Sequence, residues 1–313
     1  MFRATLRRLA GVALPGLLAA TLAAALAPLG WPFELFAHFR WQLGAATLLL
    51  LPVVLPLRRR WMTAAAALAI VLQLAPLAWP RLDEPRFARG CTGPEFRIAS
   101  VNLWLRNDDP ARVLAWLEHN PVDVVVLQEV TPAWRQALAA TTSSYPHRTL
   151  QPRSDPYGIG VLSRWPISQV ESVDFANDGL PSLVATLEVA GRRVQVIALH
   201  THWPVLKHLQ LARDQGLRLA AERARDATMP TVLAGDLNLT PYAPAFSRLE
   251  HDSRLRDAFV GRLWRPTWQA GFWPLALPID HVLLPEGVCV VDARIGPAIG
   301  SDHRPVAVTL QWR

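Results

Sequence analysis

Six short clusters of acid, amide and imidazole side chains punctuate residues 96–313, most of them directly behind an uncharged apolar run. They are Asn102 in Val101-Asn102-Leu103, Glu129 in Leu127-Gln128-Glu129, and His200 and His202 in His200-Thr201-His202-Trp203. Further along stand Asp236 and Asn238 in Gly235-Asp236-Leu237-Asn238, Asp280 in Ile279-Asp280-His281, and Asp302 and His303 in Gly300-Ser301-Asp302-His303-Arg304-Pro305. Each alone has an ordinary structural use. An Asp-x-Asn after Gly is commonly a turn, because these side chains bond their own backbone. Together they supply what a hard cation needs, several oxygen ligands from separate segments, beside imidazoles that exchange protons near neutral pH. Oxygen-rich ligands suit Mg²⁺, Mn²⁺ or Ca²⁺ over zinc, and no Cys/His cluster with zinc spacing occurs.

Such residues must be positioned by something, and the apolar runs before them are strand signals. Runs of β-branched and leucine residues predict strands at 96–103, 122–130, 157–164, 182–189, 192–202, 231–238, 279–284, 287–295 and 305–312. Helices are predicted at 109–119, 132–140 and 207–227, the last with Leu209, Leu211, Leu217, Leu219 and Ala220 on a partly periodic face. Strand alternation puts His200 and His202 on one face. Many strands with helices interspersed imply an α/β fold in which two sheets pack together and are covered by helices.

From Phe96 to about Trp312 this set resembles the endonuclease/exonuclease/phosphatase superfamily, with the fold of pancreatic deoxyribonuclease. The resemblance rests on Val101-Asn102-Leu103, Leu127-Gln128-Glu129, Gly235-Asp236-Leu237-Asn238 and Gly300-Ser301-Asp302-His303-Arg304-Pro305 in that order. It implies a four-layered sandwich with two central mixed sheets flanked by helices. It also implies a divalent cation, usually Mg²⁺, on Glu129, with Asn102 beside it and Asp302 near it or near a second metal position. His303 becomes the general base or a contact to the scissile phosphate, oriented by Asp280. Asp236 positions or activates the attacking water, Asn238 binds phosphate, and a His after the strand at 192–202 contacts phosphate, His202 fitting better than His200. The chemistry is coherent: a cation neutralises phosphoryl charge and lowers the pKa of nearby water, an oriented imidazole moves a proton, and amide donors meet oxygens whose charge grows.

Two features depart from a nuclease. Ten arginines and three acids before residue 91 account for the whole net charge of +7, leaving 22 basic and 22 acidic residues in the remainder. A DNA grip needs a basic footprint, so nucleic acid is not favoured as a partner. The segment 262–278 is rich in aromatics and proline, and with Trp203 it reads either as local packing or as an apolar rim for a lipid-linked substrate.

Residues 1–80 form a separate membrane segment. Uncharged stretches at 9–30, 41–57 and 61–80 are each near the length that crosses a bilayer, and none contains an ionisable residue. The first could instead be a signal peptide, with Arg3, Arg7 and Arg8 at its start and a small-residue site at Ala25-Leu26-Ala27; two further stretches favour three retained spans. Arg3, Arg7, Arg8 and Arg58, Arg59, Arg60 lie on the cytoplasmic side by the positive-inside rule, which puts a linker at 81–95 and the catalytic domain at 96–313 outside. Arg81, Arg86 and Arg89 dissent. Trp31, Trp41, Trp61 and Trp79 sit at span ends. Cys91 and Cys289 could pair in an oxidising compartment or stand as two unpaired small residues. The expectation is a multi-pass membrane hydrolase that acts outside the cytoplasm on lipid-linked or small phosphoesters. The alternatives are an extracytoplasmic nuclease and an inactive binding domain.

Overall fold

The apolar runs separate into long helical stretches near the N-terminus and short strands after residue 94. The computed structural model describes residues 2–83, 90–141, 143–189, 191–260, 264–269 and 271–313. Two compact units divide the chain, the N-terminal helices in one and the sheets in the other.

The helical unit contains α1 (Phe2–Ala25), α2 (Phe33–His38), α3 (Arg40–Val54) and α4 (Arg60–Asp83). Among the described residues, three helices are long and apolar enough to cross a membrane, over Thr5–Ala25, Arg40–Leu57 and Arg60–Leu77. Ala10 and Leu14 of α1 bury against Val54, Met62 and Ala66. α4 runs to Asp83, so the expected linker begins later than 81; its residues 84–89, with Arg86 and Arg89, lie outside the described residues.

The stretches 9–30, 41–57 and 61–80 hold no ionisable residue, but Arg40, expected in the loop before the second, is instead the first residue of α3 and 8 % exposed. Its guanidinium donates to the carbonyl of Leu72 at 3.1 Å and to that of Ala24 at 3.0 Å. Leu72 lies four residues before Pro76, which has no N–H to give it, and Ala24 is in the last turn of α1, whose carbonyls lack helical partners. Arg40 therefore serves two orphaned acceptors that an apolar residue would leave bare.

In the second unit the strands form two mixed sheets. One contains β1 (Glu95–Asn102), β2 (Val124–Gln128), β3 (His147–Gln151), β4 (Ile159–Ser163), β11 (Val288–Ile295) and β12 (Val306–Trp312), in the order β11-β12-β1-β2-β4-β3. The other contains β5 (Ile167–Val173), β6 (Ser182–Val189), β7 (Arg192–His200), β8 (Thr231–Asp236), β9 (Arg256–Asp257) and β10 (Asp280–Leu284), in the order β5-β6-β7-β8-β10-β9. β1 pairs parallel with β2, and β7 with β8; the other pairs are antiparallel. Each parallel pair is crossed over by a helix, α5 (Pro110–His119) and α7 (Lys207–Arg225) respectively; α6 (Pro132–Ala137) and α8 (Pro244–Ser253) complete the cover.

The strands are apolar on both faces because both faces are buried. In β2, Val124 and Val126 join Ile98, Val196, Val232 and Val282 in the core between the sheets. Val125 and Leu127 turn the other way, under Val113, Trp116 and Leu117 of α5 and Trp134 of α6. On the second sheet's outer side, Phe246 of α8 packs at a tilt against His281 with ring centroids 4.6 Å apart. Burying one such aliphatic side chain contributes about 1.5–3 kcal/mol. The four-layered sandwich implied by the resemblance is what these contacts build.

Three strands not anticipated, β3, β5 and β9, are all sheet edges, and β3 and β5 carry polar patterns, HRTLQ and ISQVESV. An edge strand borders solvent and holds charged and polar residues, so its signal is weak. The predicted helix at 132–140 ends as a 3-10 turn over Leu138–Thr141.

Cys91 and Cys289 form a disulfide with a Cα–Cα distance of 6.0 Å, closing a loop of sequence separation 198. A cross-link over so long a loop restricts the unfolded chain and typically contributes about 2–4 kcal/mol. Cys289→Ser is expected to lower the catalytic unit's melting temperature, and reductant to do the same to the wild type; melting curves indifferent to both would remove the disulfide's structural role.

Candidate active site

The two parallel pairs explain why distant residues meet. β1, β2, β7 and β8 end on a common edge, at Asn102, Gln128, His200 and Asp236, with Glu129 the next residue after β2. β10 runs the opposite way, so its first residue, Asp280, is the register partner of Asp236. His200 is the partner of Asp236 on the other side. Gly235 is required here: a Cβ on it would overlap the carbonyl oxygen of Leu199, its partner in β7. At the exits the backbone turns left-handed at Trp104 (φ 60°), Glu129 (φ 58°) and Asn238 (φ 45°). Non-glycine residues adopt this conformation at some cost, and here hydrogen bonds at the same turns offset it.

Glu129 accepts from the backbone N–H of Leu105 at 2.5 Å and from Nδ2 of Asn102 at 3.1 Å. The same Asn102 nitrogen donates to Oδ2 of Asp236 at 3.1 Å, while its Oδ1 accepts from the N–H of Trp104. Asn102 thus presents its amide nitrogen to the two carboxylates. Asp236 also accepts from the N–H of Asn238 at 2.9 Å, and its Oδ2 lies 3.6 Å from Nε2 of His200 and 3.7 Å from Nε2 of His303. His303 donates Nδ1–H to Asp280 at 2.8 Å, which fixes the ring and leaves Nε2 facing Asp236 and, at 3.9 Å, Oδ1 of Asp302. Asn238 donates from its side chain to the carbonyl of Thr201. Asn102, Glu129, Asp236, Asn238, Asp280, Asp302 and His303 therefore belong to one connected group.

His202 is placed differently. Its Nδ1 is 3.0 Å from the Tyr157 hydroxyl and its Nε2 is 2.9 Å from Oδ2 of Asp178. Of these two histidines, the one against Asp236 is His200. Two positioning contacts, from Thr267 and Trp268, were not foreseen in the sequence. Oγ1 of Thr267 accepts the N–H groups of Ile279 and Asp280, and Nε1 of Trp268 donates to Oδ2 of Asp302 at 3.0 Å. Both lie in the aromatic 262–278 segment, whose residues 262, 263 and 270 fall outside the described residues.

Burial and like charge shape the protonation states. Burial, then the charge of Asp280, pushes the Asp236 carboxyl well above the usual range, against the pull of His303. Burial alone would push the His303 imidazole down, but Asp280 and Asp236 overcome it and hold the ring above its ordinary range. Burial lowers His200. Burial and then Arg265 push His281 down to about 3, so this ring stays neutral and its Nε2–H donates to the carbonyl of Leu239.

The residues present fit a divalent cation. Asp236, Asp280 and His303, all buried, offer ligand atoms within 4.8 Å of one another. Among the described residues, Oδ1 of Asp280 and Oδ1 of Asp302 are buried without a hydrogen-bond partner, which is costly for a carboxylate unless something positive faces it. Because His303 already spends Nδ1 on Asp280, the oxygen donors are the better part of the set for a hard cation.

Raised in the folded state, the His303 imidazole adds stability that is complete below its ordinary value of 6.5 and fades as pH climbs through the folded value. In protein stripped of divalent ions, the His303 ring is expected to titrate above 6.5 by NMR, and Asp280→Asn to bring the midpoint down and to cost stability most at about pH 6 or below. An unchanged midpoint in Asp280→Asn would contradict the pairing.

Comparisons with known proteins agree with this geometry. The sequence model of the Endonuclease/Exonuclease/phosphatase family matches residues 99–303. No curated protein compared with the chain matches it. D. rerio TDP2, in a crystal structure complexed with single strand DNA product, aligns with a TM-score of 0.58 and 21 % identity over 69 % of this chain and 99 % of its own. An endonuclease/exonuclease/phosphatase from Beutenbergia cavernae aligns with a TM-score of 0.56 and 24 % identity over 70 % and 72 %. Sphingomyelinase C from Streptomyces griseocarneus aligns with a TM-score of 0.52 and 21 % identity over 69 % and 99 %. From residue 99 to residue 303, the chain belongs to the endonuclease/exonuclease/phosphatase family of phosphoester hydrolases.

Proposed function

We propose that the protein is a membrane-anchored, divalent-cation-dependent phosphoester hydrolase that acts outside the cytoplasm on lipid-linked or small phosphoesters. The observation that carries the catalytic part is the Asp280–His303–Asp236 array beside Asn102 and Glu129. His303, oriented by Asp280, is the proton-transfer group, and Asp236 positions the attacking water. Asn238, Asn102 and the His202 side of the site serve the phosphate. Glu129 and Asp302, with Asn102, are the residues for the cation, Mg²⁺ first and Mn²⁺ or Ca²⁺ next. When bound, the cation neutralises phosphoryl charge and lowers the pKa of a nearby water.

Anchoring is supported by the three apolar helices. Action outside the cytoplasm is supported by Arg3, Arg7, Arg8 and Arg58, Arg59, Arg60 flanking the spans and by the Cys91–Cys289 disulfide, a bond of oxidising compartments. The lipid side of the substrate is supported by apolar surface near the site. Trp203, Phe272 and Trp273 are 57 %, 55 % and 45 % exposed, and Trp203 packs 6.2 Å from Trp268, the donor to Asp302. One structural neighbour is a sphingomyelinase. A nuclease is the second reading, favoured by the neighbour crystallised with single strand DNA product; the balanced charge of residues 91–313 weighs against it.

The test is a panel of plasmid DNA, RNA, phospholipids and polyprenyl pyrophosphate, offered to the full-length protein with Mg²⁺ and with chelator. Lipid phosphates should be turned over, chelator should abolish the activity, and Glu129→Ala and His303→Ala should each lose about 10²-fold or more. Efficient hydrolysis of DNA with none of lipid phosphate selects the nuclease, and unchanged activity in both variants rejects the site. Protease added to spheroplasts, whose inner membrane is intact and whose outer envelope is removed, should cut residues 91–313 if they face the periplasm or exterior, whereas full protection would reverse the topology.

A further inference from the structure

The environment of His202 is not that of a side chain free to meet a substrate. A carboxylate only accepts, so Nε2 must donate to Asp178. Nδ1 is taken by the Tyr157 hydroxyl. With both nitrogens engaged, the ring can act on a substrate only through Tyr157. That residue is at the site: its ring lies 5.4 Å from His200, which faces Asp236. Its neighbour Gly158 accepts from the N–H of Val130, the residue directly after Glu129. A Cβ at Gly158 would overlap the Val130 carbonyl, so this segment lies tight against the strand exit that bears Glu129.

Asp178 is held ready by its own loop between β5 and β6. The carboxylate of Asp174 accepts the N–H groups of Asp178 at 3.1 Å and of Gly179 at 2.7 Å, and Oδ1 of Asp178 accepts from Leu180. Arg153 donates to the carbonyl of Gly179. The oxygen that meets His202 is the one the loop leaves free, and the Asp178 side chain is 20 % exposed against 13 % for His202.

We propose that Asp178, His202 and Tyr157 form a hydrogen-bond relay that presents the Tyr157 hydroxyl to an oxygen of the substrate, with Asp178 and His202 as positioning residues. The inference rests on the phosphoester-hydrolase reading of the site. The chain of donors runs in either direction. Without substrate, the Tyr157 O–H donates to Nδ1. When an anionic phosphoryl oxygen arrives, the hydroxyl hydrogen turns to it. The ring then takes a second proton from solvent at Nδ1 and donates it to the Tyr157 oxygen. Product release returns that proton to solvent. Asp178 holds Nε2–H in place throughout, so no bond is broken except to the exchanged proton.

The experiment uses full-length protein in detergent with bis(p-nitrophenyl) phosphate and Mg²⁺. Tyr157→Phe and Asp178→Asn are each expected to lower kcat/KM about 10- to 100-fold, the worth of one hydrogen bond to a charged group. In the double variant the loss should be no greater than in the worse single variant, because the two act as a unit, and Asp178→Glu should recover part of it. In ¹⁵N-histidine spectra, Tyr157→Phe should move Nδ1 of His202 and Asp178→Asn its Nε2. A loop staple alone would leave Tyr157→Phe active, since that variant keeps the Asp178–His202 bond. Active wild type with Tyr157→Phe unimpaired, or a double variant losing the product of the single losses, overturns the relay. Wild type that turns over no phosphoester overturns the functional reading itself.

Discussion

Three buried carboxylates, Glu129, Asp236 and Asp280, converge with the partly buried Asp302, and uncompensated charge in such a place is strongly destabilising. Much of the surrounding structure answers that constraint. Asn102 spends both hydrogens of its amide on Glu129 and Asp236. Backbone N–H groups of Leu105 and Asn238, freed where strands end in left-handed turns, point inward at the same two acids. His303 covers one oxygen of Asp280 and Trp268 one of Asp302, and among the described residues the opposite oxygen of each has no hydrogen bond. The compensation is therefore complete for two acids and half complete for the other two. A site with that imbalance is prepared for a cation, while burial and the charge of Asp280 raise the proton affinity of Asp236, and the charges of Asp280 and Asp236 raise that of His303 against its burial.

Placement follows from topology more than from local sequence. Two strand pairs run parallel in a fold where every other described pair is antiparallel, and their shared C-terminal edge brings Asn102 and Glu129 to His200 and Asp236, with 134 positions separating Asn102 from Asp236. The close approach of β7 and β8 at Gly235 sets the distance between His200 and Asp236.

The central strands and the acid clusters at their ends were legible because burial on both faces writes long apolar runs, and because Asp, Asn and His directly after such runs stand out. The edge strands β3, β5 and β9 were not, since solvent on one border permits polar residues like those of HRTLQ. The site was legible in membership and less so in wiring. Alternation puts His200 and His202 on one face, but only the fold shows that one meets Asp236 and the other Asp178. Thr267 left no signal, because a threonine bonding two backbone N–H groups looks like any other threonine in a loop, and Trp268 showed only as part of the aromatic segment, without its bond to Asp302. Arg40 misled for a related reason. It borders an apolar stretch and reads as a flanking charge, yet it lies folded among helices because Pro76 leaves a carbonyl unserved.

The disulfide has a topological effect besides stability. Cys91 precedes the first strand and Cys289 sits in β11, so the bond closes residues 91–289, with Asn102, Glu129, Asp236 and Asp280, into a covalent ring. A chain cut once anywhere between the two cysteines stays in one piece. The C-terminal part, with Asp302 and His303, remains tied to the N-terminal helices through Cys91, and only reduction as well as cleavage would set it loose.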